Sequence, residues 1–279
     1  MIVHRLKSLS DYITHVEKNR AEYARRVSLQ QAVTVKGKKE FKVRAISYPA
    51  DSFVDLQVDY QYGNGEDINW RERLVCPVTG LNNRLRASVH VLDMELEPYP
   101  ESIIYVTEQV TPLFSFLQQR YAGLRGSEFL GPDMEPGTIV NGINHEDMRN
   151  LSLGTGSTDL YLSFECLEHI PHYERVFPEM YRVLRSGGMF MGTFPFDINA
   201  DSNLVKARED PDGTITYLTE PEYHGDPVNG DGILCYTVFG WEVLEQLKKA
   251  GFRDAYVLLL WSDVYGYLGG EQSFIVAKK

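Results

Sequence analysis

The sequence predicts an α/β fold with a doubly wound, mostly parallel sheet that ends in an antiparallel strand. From about residue 101 onward, short apolar runs alternate with helical segments, an order typical of parallel strands joined by helices. Residues 1–35 instead have apolar positions at helical spacing, and residues 41–62 alternate and are rich in β-branched and aromatic residues. We therefore expect a helical and small-β extension over residues 1–100 and an α/β domain over residues 101–279.

Composition and charge narrow the classes of partner. With 43% hydrophobic and 24% charged residues, the chain has the composition of a soluble globular protein. The net charge of −11 argues against binding to a nucleic acid or an anionic membrane, because either would repel it. The N-terminus does not resemble a signal peptide, and three cysteines offer no disulfide framework. We expect a cytoplasmic protein with no membrane span.

The segment that starts at Cys76 and continues as PVTGLNNR allows two interpretations. Two thiolates in a CPxC turn can share one tetrahedral zinc ion, but the second position here is Thr79. No other cysteine pair completes a set of four ligands. We favour a structural turn that positions Asn82, Asn83 and Arg84.

The elements of the α/β domain follow in order. The helix after the first strand is predicted to begin at Thr111 as N-cap, with Pro112 in the first turn, where a missing N–H costs nothing. The last two strands should form an antiparallel hairpin. The predicted strands are 102–107, 124–130, 139–143, 159–164, 189–194, 255–260 and 272–277, and the helices are 111–121, 173–184 and 240–250.

One stretch, residues 158–196, carries a family resemblance. The run TDLYLSFECLEHIPHYERVFPEMYRVLRSGGMFMGTFPF is similar to the class I S-adenosylmethionine-dependent methyltransferases, which follow a strand with E-x-x-E-H, a helix with Y-R-V-L, a Gly-Gly turn and another strand. Gly187 and Gly188 permit the sharp turn into that strand. The resemblance implies a Rossmann-like fold, S-adenosylmethionine as cofactor and methyl transfer as the reaction.

Upstream, the chain departs from the family at one point and agrees at two. The glycine-rich loop that follows the first strand in the family is replaced here by Glu108-Gln109-Val110-Thr111. Glu128 matches the acid that accepts the ribose hydroxyls, since a carboxylate can take two O–H donors at once. Asp147 matches the group beside the adenine amine. The cofactor-binding residues implied by the resemblance are Thr107, Glu108, Glu128, Phe129, Asp147, Met148, Phe164 and Glu165.

The ECLEH segment and the histidines near it are the candidates for chemistry. In relatives that methylate ubiquinone precursors or small-RNA ends, this pattern binds a divalent ion, so Glu165, Glu168 and His169 are candidate ligands of Mg²⁺ or Mn²⁺. In many other members the same letters only cap the following helix. His169 and His172, and His224 in the polar loop 221–229, are candidate bases because imidazole titrates near neutral pH.

The methyl acceptor is the least visible part of the function. We expect a hydroxyl, or less readily an amine, of a small molecule or saccharide. Trp261, Tyr265 and Tyr267 either stack on such a ring or pack the edge of the sheet. Because the glycine loop is missing, two alternatives stay open: other chemistry on the sulfonium such as cyclisation or alkyl transfer, and a degenerate fold kept for binding. The extension is expected to cover the active site or to form a homodimer contact.

Overall fold

The structure is a computed structural model that describes residues 1–35, 37–63, 66–225 and 232–279. The α-helices are α1 (Leu9–Lys18), α2 (Arg20–Val33), α3 (Asn83–Val91), α4 (Pro112–Gln118), α5 (Val176–Val183) and α6 (Glu242–Lys249). The strands are β1 (Ile2–Leu6), β2 (Glu40–Ser47), β3 (Ser52–Asp59), β4 (Ile104–Val106), β5 (Leu124–Gly126), β6 (Ile139–Val140), β7 (Ile143–Asn144), β8 (Thr158–Phe164), β9 (Leu184–Thr193), β10 (Leu204–Val205), β11 (Ala207–Glu209), β12 (Ile215–Tyr217), β13 (Tyr223–His224), β14 (Ile233–Leu234), β15 (Thr237–Val238), β16 (Asp254–Ser262) and β17 (Tyr267–Lys278).

A seven-stranded sheet has the order β1-β16-β17-β9-β8-β4-β5. Strands β5, β4, β8 and β9 pair in parallel, and β17 pairs antiparallel to β9. Strand β4 lies between β5 and β8, so the chain leaves β4 toward one edge and later returns to its other side. This is the doubly wound arrangement with an antiparallel C-terminal strand, and the predicted fold class is confirmed.

The prediction of a strand of the main sheet at residues 139–143 is wrong. The chain instead forms a tight hairpin, β6 and β7, in a separate two-stranded sheet. Asn141 and Gly142 both have positive φ, 51° and 81°, as a two-residue hairpin turn of the primed type requires. An Asn-Gly pair between apolar residues is the usual signal of such a turn, so the sequence contained the information.

Two other segments also differ from the sequence predictions. Residues 2–6, expected to be helical, form the edge strand β1, which pairs antiparallel with β16. The strand predicted at 124–130 ends at Gly126, and beyond it only an isolated bridge joins Glu128 to His145. Thr111 caps α4 as predicted, since its Oγ1 accepts the N–H of Phe114 at 3.1 Å.

The chain divides into two compact units. The first contains residues 1–6, 10–97 and 257–274, and the second contains residues 7–9, 98–256 and 275–279. The domain boundary expected at residue 100 and the extension's role as lid or dimer contact stay predictions. No helix within the described ranges is long and apolar enough to cross a bilayer.

The first unit has its own apolar core on the hairpin of β2 and β3. Alternate residues of both strands are buried together with Trp70, Leu74 and Trp261. Trp261 and Tyr267 are almost fully buried, which favours the packing interpretation of these two aromatic residues. Cys76 is buried in the same core and begins a turn in which the Gly80 N–H donates to the Cys76 carbonyl at 2.9 Å.

The turn after Cys76 leads directly into α3. Asn82 is its N-cap, with Oδ1 accepting the Leu85 N–H at 2.9 Å, and Asn83 and Arg86 are fully buried. The Arg86 guanidinium donates to the carbonyls of Leu74, Tyr265 and Gly266. The segment therefore works as the structural turn that the sequence favoured.

The second unit has its core on the parallel strands. Strand β4 is entirely buried, and β8 is buried at every position except Asp159. Helix α5 packs against this layer through Val176, Phe177, Met180 and Val183, which are all buried. Continuous burial of the strand residues is the pattern of a parallel sheet covered on both faces. The carboxyl ends of β4, β5 and β8 consequently come together in this unit.

Candidate active site

A cavity of about 230 Å³ lies at the carboxyl ends of β4, β5 and β8. Because β5 and β8 are on opposite sides of β4, the connections after these strands diverge and leave a crevice between them. Open α/β sheets bind ligands at such a switch point. The position of the cavity therefore follows from the strand order.

The walls contain all of the residues that the sequence predicted for the cofactor. They are Thr107, Glu108, Glu128, Phe129, Asp147, Met148, Phe164 and Glu165. His169, Ile170 and Pro171 from the segment after β8 line the cavity too, as do Gly225 and Ile233 from the loop around β13 and β14. Backbone topology thus brings together residues from five separate stretches of the chain, if Gly225 and Ile233 are counted as one loop. Their role in binding a cofactor stays a prediction.

The loop after β4 is held by side chains. Glu128 Oε1 accepts the backbone N–H groups of Gln109 at 2.6 Å and of Val110 at 2.9 Å. Thr107 Oγ1 donates to Ser163 Oγ at 2.9 Å and so ties the end of β4 to β8. The loop that replaces the glycine-rich loop therefore has fixed partners on both neighbouring strands.

Asp147 forms an ion pair inside the cavity wall. Arg149 donates from Nε to Oδ1 at 3.0 Å and from Nη2 to Oδ2 at 2.8 Å. Burial opposes ionisation of Asp147, but the hydrogen bonds from Arg149 outweigh it and lower the pKa of the carboxyl. Asp147 is accordingly a carboxylate at neutral pH, and its partner Arg149 was not singled out from the sequence.

The cavity has a strongly acidic lining. Five residues with carboxyl groups are among those that line it, together with one arginine and one histidine. The carboxyl groups belong to Glu108, Glu128, Glu146, Asp147 and Glu165. Since Arg149 is paired with Asp147, the remaining acids give the cavity a negative potential that favours a cationic ligand.

Glu168 lies behind the cavity between two histidines. Its side chain is fully buried, and neither carboxylate oxygen has a hydrogen bond among the described residues. Oε1 lies 3.6 Å from His169 Nε2 and 3.7 Å from His224 Nδ1. The two imidazole rings meet edge to face, with centroids 4.9 Å apart. A buried carboxylate of this kind requires a proton or a cation nearby.

The environment of this cluster raises the pKa of both Glu168 and His224. Burial raises the pKa of Glu168, while His224 and His169 act in the opposite direction. Interaction with the Glu168 carboxylate raises the pKa of His224, burial lowers it, and the hydrogen bond that His224 Nε2 donates to Glu222 at 3.2 Å raises it further. His169 Nδ1 lies 2.9 Å from the Leu234 carbonyl oxygen and donates to it, which leaves Nε2 facing Glu168.

Two predicted residues stand apart from this cluster. Glu165 lines the cavity, but it belongs to neither of the two described clusters whose ligand atoms lie within 4.8 Å of one another, which are Glu168, His169 and His224 and, beside it, Glu222, His224 and Cys235. His172 is exposed, has a φ of 57° and does not contribute to the cavity wall. Pro171 separates it from His169, so the segment forms two short 3₁₀ turns and the residues do not share one helical face.

Sequence reasoning missed several polar groups of the site. Gln109, Arg149 and Glu222 all have direct hydrogen bonds to predicted site residues. Only the spacing of Arg149 to Asp147 gave a local signal. The partners of Gln109 and Glu222 depend on loops brought together by the fold. The loop with His224 is described as far as Gly225, and residues 226–229 of it lie outside the described residues.

The comparisons with known proteins bear on this part of the chain. Residues 117–192 match the family model described as a methyltransferase domain. The match runs from the end of α4 through most of β9 and includes Glu128, Asp147 and the segment with Glu168. Together with the strand order and the cavity at its switch point, the match favours the methyltransferase fold that the sequence predicted.

Residues 117–192 of the chain are similar to a methyltransferase domain.

Solved methyltransferase structures resemble the chain at low sequence identity. An S-adenosylmethionine-dependent methyltransferase from Mesorhizobium loti is 16% identical with a TM-score of 0.41, over 68% of this chain and 98% of that one. A Burkholderia thailandensis 1,6-didemethyltoxoflavin N1-methyltransferase with bound S-adenosylhomocysteine is 16% identical with a TM-score of 0.38, over 70% and 78%. A Methanosarcina mazei S-adenosylmethionine-dependent methyltransferase is 15% identical with a TM-score of 0.37, over 65% and 94%. No curated protein matches the chain.

The match supports the prediction that the chain is a methyltransferase enzyme. The methyltransferase domain has its acidic cavity at the place where the sequence predicted the cofactor.

Proposed function

We propose that the chain transfers the methyl group of S-adenosylmethionine to a hydroxyl, or less readily an amine, of a small molecule or saccharide in the cytoplasm. The observation that carries this proposal is the acidic cavity at the switch point, which the predicted cofactor residues and His169 line together. A sulfonium is a cation, and its charge suits a cavity bordered by five carboxyl groups.

In the proposed complex, the cofactor lies along the ends of β4 and β5. Glu128 accepts the ribose hydroxyls, Asp147 and Met148 lie against the adenine, and Thr107, Glu108 and Glu165 surround the methionine end. The methyl group then points toward His169, Ile170 and Pro171, where the acceptor binds. This order is supported by the succession of these residues around one cavity.

Methyl transfer from a sulfonium is an in-line displacement with a neutral leaving group. The protein must align the acceptor oxygen with the methyl carbon and remove its proton. We propose that His224 or His169 is the base that accepts this proton. The buried Glu168 carboxylate supports this assignment, because it lies near both imidazoles and can stabilise the imidazolium that forms. His172 is the least favoured base, since it is exposed outside the cavity.

A divalent ion such as Mg²⁺ or Mn²⁺ is a second candidate for this cluster. Glu168 has two buried oxygens with no hydrogen bond among the described residues, and the ligand atoms of Glu168, His169 and His224 lie within 4.8 Å of one another. One carboxylate and two imidazoles fit a transition metal such as Mn²⁺ better than Mg²⁺, which prefers oxygen. A bound ion would supply a Lewis acid to the acceptor hydroxyl. Glu165, Glu168 and His169 were the predicted ligands, and we propose His224 in place of Glu165.

Calorimetry with S-adenosylmethionine and S-adenosylhomocysteine tests the cofactor part of the proposal. We expect both to bind, and Glu128→Ala to weaken both strongly, while Glu135→Ala, an exposed acid on the connection after β5, leaves them unchanged. No binding at millimolar concentration would rule out methyl transfer and favour a degenerate binding protein.

Incubation without acceptor separates the remaining alternatives. Release of methylthioadenosine would indicate cyclisation or alkyl transfer, whereas methyl transfer requires an acceptor before the cofactor is consumed. A panel of phenols, amines and sugars with radiolabelled cofactor then identifies the acceptor class. For the metal, Mn²⁺ titration followed by electron paramagnetic resonance should show a bound ion that is lost in Glu168→Gln, and an unchanged free-ion signal would exclude the metal.

A further inference from the structure

The loop after β4 has no glycine, yet it lies closely against strand β5. Gly126 of β5 is the residue that makes room for it: a Cβ there would lie 2.5 Å from the Glu108 carbonyl oxygen and 2.4 Å from the Phe114 ring. The close backbone approach is thus provided by the neighbouring strand. The backbone of the loop lacks the conformational freedom of glycine, so side chains have to fix its position.

Gln109 connects this loop to the β6–β7 hairpin through its side chain. Nε2 donates to the Gly142 carbonyl at 2.8 Å, and Oε1 accepts the Asn144 N–H at 2.9 Å. Both ends of the amide are used, in the same way that a strand residue pairs with its neighbour. Gln109 therefore binds the hairpin as firmly as two neutral hydrogen bonds allow.

The hairpin is itself fixed to β5 by its second strand. Asn144 Nδ2 donates to the Gly126 carbonyl at 2.9 Å, and the Asn144 carbonyl accepts the Glu128 N–H at 2.8 Å. Glu128 in turn accepts the amides of Gln109 and Val110. Loop, strand and hairpin form a closed ring of hydrogen bonds, and in this ring Gln109 supplies the side-chain link from loop to hairpin.

We propose that Gln109 is a positioning residue of the cofactor site that performs, with its side chain, the task of a glycine-rich loop. It holds the loop in the position in which Thr107 and Glu108 line the cavity. The hairpin that it binds leads into Asp147 and Met148, which line the same cavity. The inference rests on the proposed function, because it assumes that the cavity binds S-adenosylmethionine.

The loop and the adenosine anchors differ in how much they depend on Gln109. Asp147 keeps its own partner Arg149, and Glu128 keeps the hydrogen bond from its N–H to the Asn144 carbonyl, when only the side chain at 109 is changed. Displacement of the loop should then affect the methionine end of the cofactor more than its adenosine end. A ligand that lacks the amino and carboxyl groups of methionine distinguishes the two.

The test compares Gln109→Leu with wild type by calorimetry, using S-adenosylhomocysteine and 5′-methylthioadenosine as ligands. The substitution removes both hydrogen bonds at similar side-chain size. We expect the Kd for S-adenosylhomocysteine to rise about tenfold, as the loss of such hydrogen bonds allows, and the Kd for 5′-methylthioadenosine to rise less than threefold. Gln118→Leu is the matched control, since Gln118 is exposed at the end of α4, and it should leave both Kd values unchanged.

The outcomes separate the two proposals. If wild type binds neither ligand, the proposed function fails. If wild type binds but Gln109→Leu loses both ligands equally, or neither, Gln109 is only structural or has no role, and the inference is overturned. A second variant, Gln109→Glu, places a carboxylate oxygen against the Gly142 carbonyl and keeps the acceptor for Asn144. It should show the same ligand preference with a melting temperature close to that of wild type.

Discussion

His224 lies between two carboxylates, Glu168 and Glu222, at 3.7 Å and 3.2 Å. Both raise the pKa of the imidazole above its usual value of about 6.5. The neutral form, which can accept a proton, therefore predominates only above this raised pKa. We expect kcat/KM to fall as pH decreases through this raised pKa. Glu222→Gln removes one of the charges that raise this pKa, and the inflection should move to lower pH.

A pH–rate profile between pH 5 and 9 measures this shift. Glu220→Gln is the control, because Glu220 is exposed in the same loop, and its profile should coincide with wild type. His224→Asn should abolish the inflection. An unchanged inflection in His224→Asn would transfer the role of base to His169.

A second prediction at the scale of a single residue concerns Gly126. In Gly126→Ala, the new methyl group meets the backbone carbonyl of Glu108 at 2.5 Å, a contact that only a backbone shift can relieve. We expect a loss of about 1–3 kcal/mol in the free energy of unfolding. Gly154→Ala should cost less than about 0.5 kcal/mol, since the nearest atom there is 3.8 Å away. Urea denaturation of both variants decides the point, and equal stability would contradict it.

At the scale of elements, one residue of α5 holds the chain that enters β8. The Arg182 guanidinium donates to the carbonyls of Leu151 at 2.9 Å and Leu153 at 2.7 Å, and it pairs with Glu179 at 2.7 Å. We expect Arg182→Met to lower the free energy of unfolding by about 1–3 kcal/mol, because hydrogen bonds to a charged group are lost. Arg175→Met, at an exposed arginine before the same helix, is the matched control and should be neutral.

The same pair makes stability depend on pH. Hydrogen bonds from Arg182 lower the pKa of Glu179, so its stabilising effect is present above the unfolded value of about 4.3 and is lost as pH falls through the folded pKa. The stability difference between wild type and Arg182→Met, measured by urea denaturation, should therefore shrink between pH 6 and pH 3. A constant difference would mean that only the bonds to the carbonyls matter.

The elements also show how far local sequence extends. Thr111 and Pro112 predicted the start of α4 correctly, because capping depends on a few adjacent residues. The Asn141-Gly142 turn was missed because the apolar residues around it were interpreted as one continuous strand. Strand β1 was missed since a five-residue edge strand depends on its partner β16, more than 250 residues later.

At the scale of the whole molecule, we expect the negative charge of the protein to favour the cationic cofactor over its uncharged-sulfur product. The chain has a net charge of −11, and the cavity is bordered by five carboxyl groups. S-adenosylmethionine has the sulfonium charge, whereas S-adenosylhomocysteine lacks it. Raising the NaCl concentration from about 0.02 to 0.5 M should weaken the binding of the first ligand more than that of the second, by about two- to threefold. Calorimetry at both salt concentrations measures the ratio, and an equal effect on both ligands would indicate that the sulfonium does not sense this field.

The sequence by itself determined the α/β class, the strands and helix around the Gly187-Gly188 turn, and the set of residues expected at the cofactor. These depend on periodicity, on turn chemistry and on a dispersed pattern that survives in one stretch of chain. The tertiary structure decided which groups face one another. Glu168 meets His224, and Gln109 meets the hairpin at Gly142, across separations of 56 and 33 residues that no local pattern encodes. The resemblance that predicted methyl transfer therefore led to the residues around one cavity, while the packing of loops at the strand ends decided which groups hold the loop after β4.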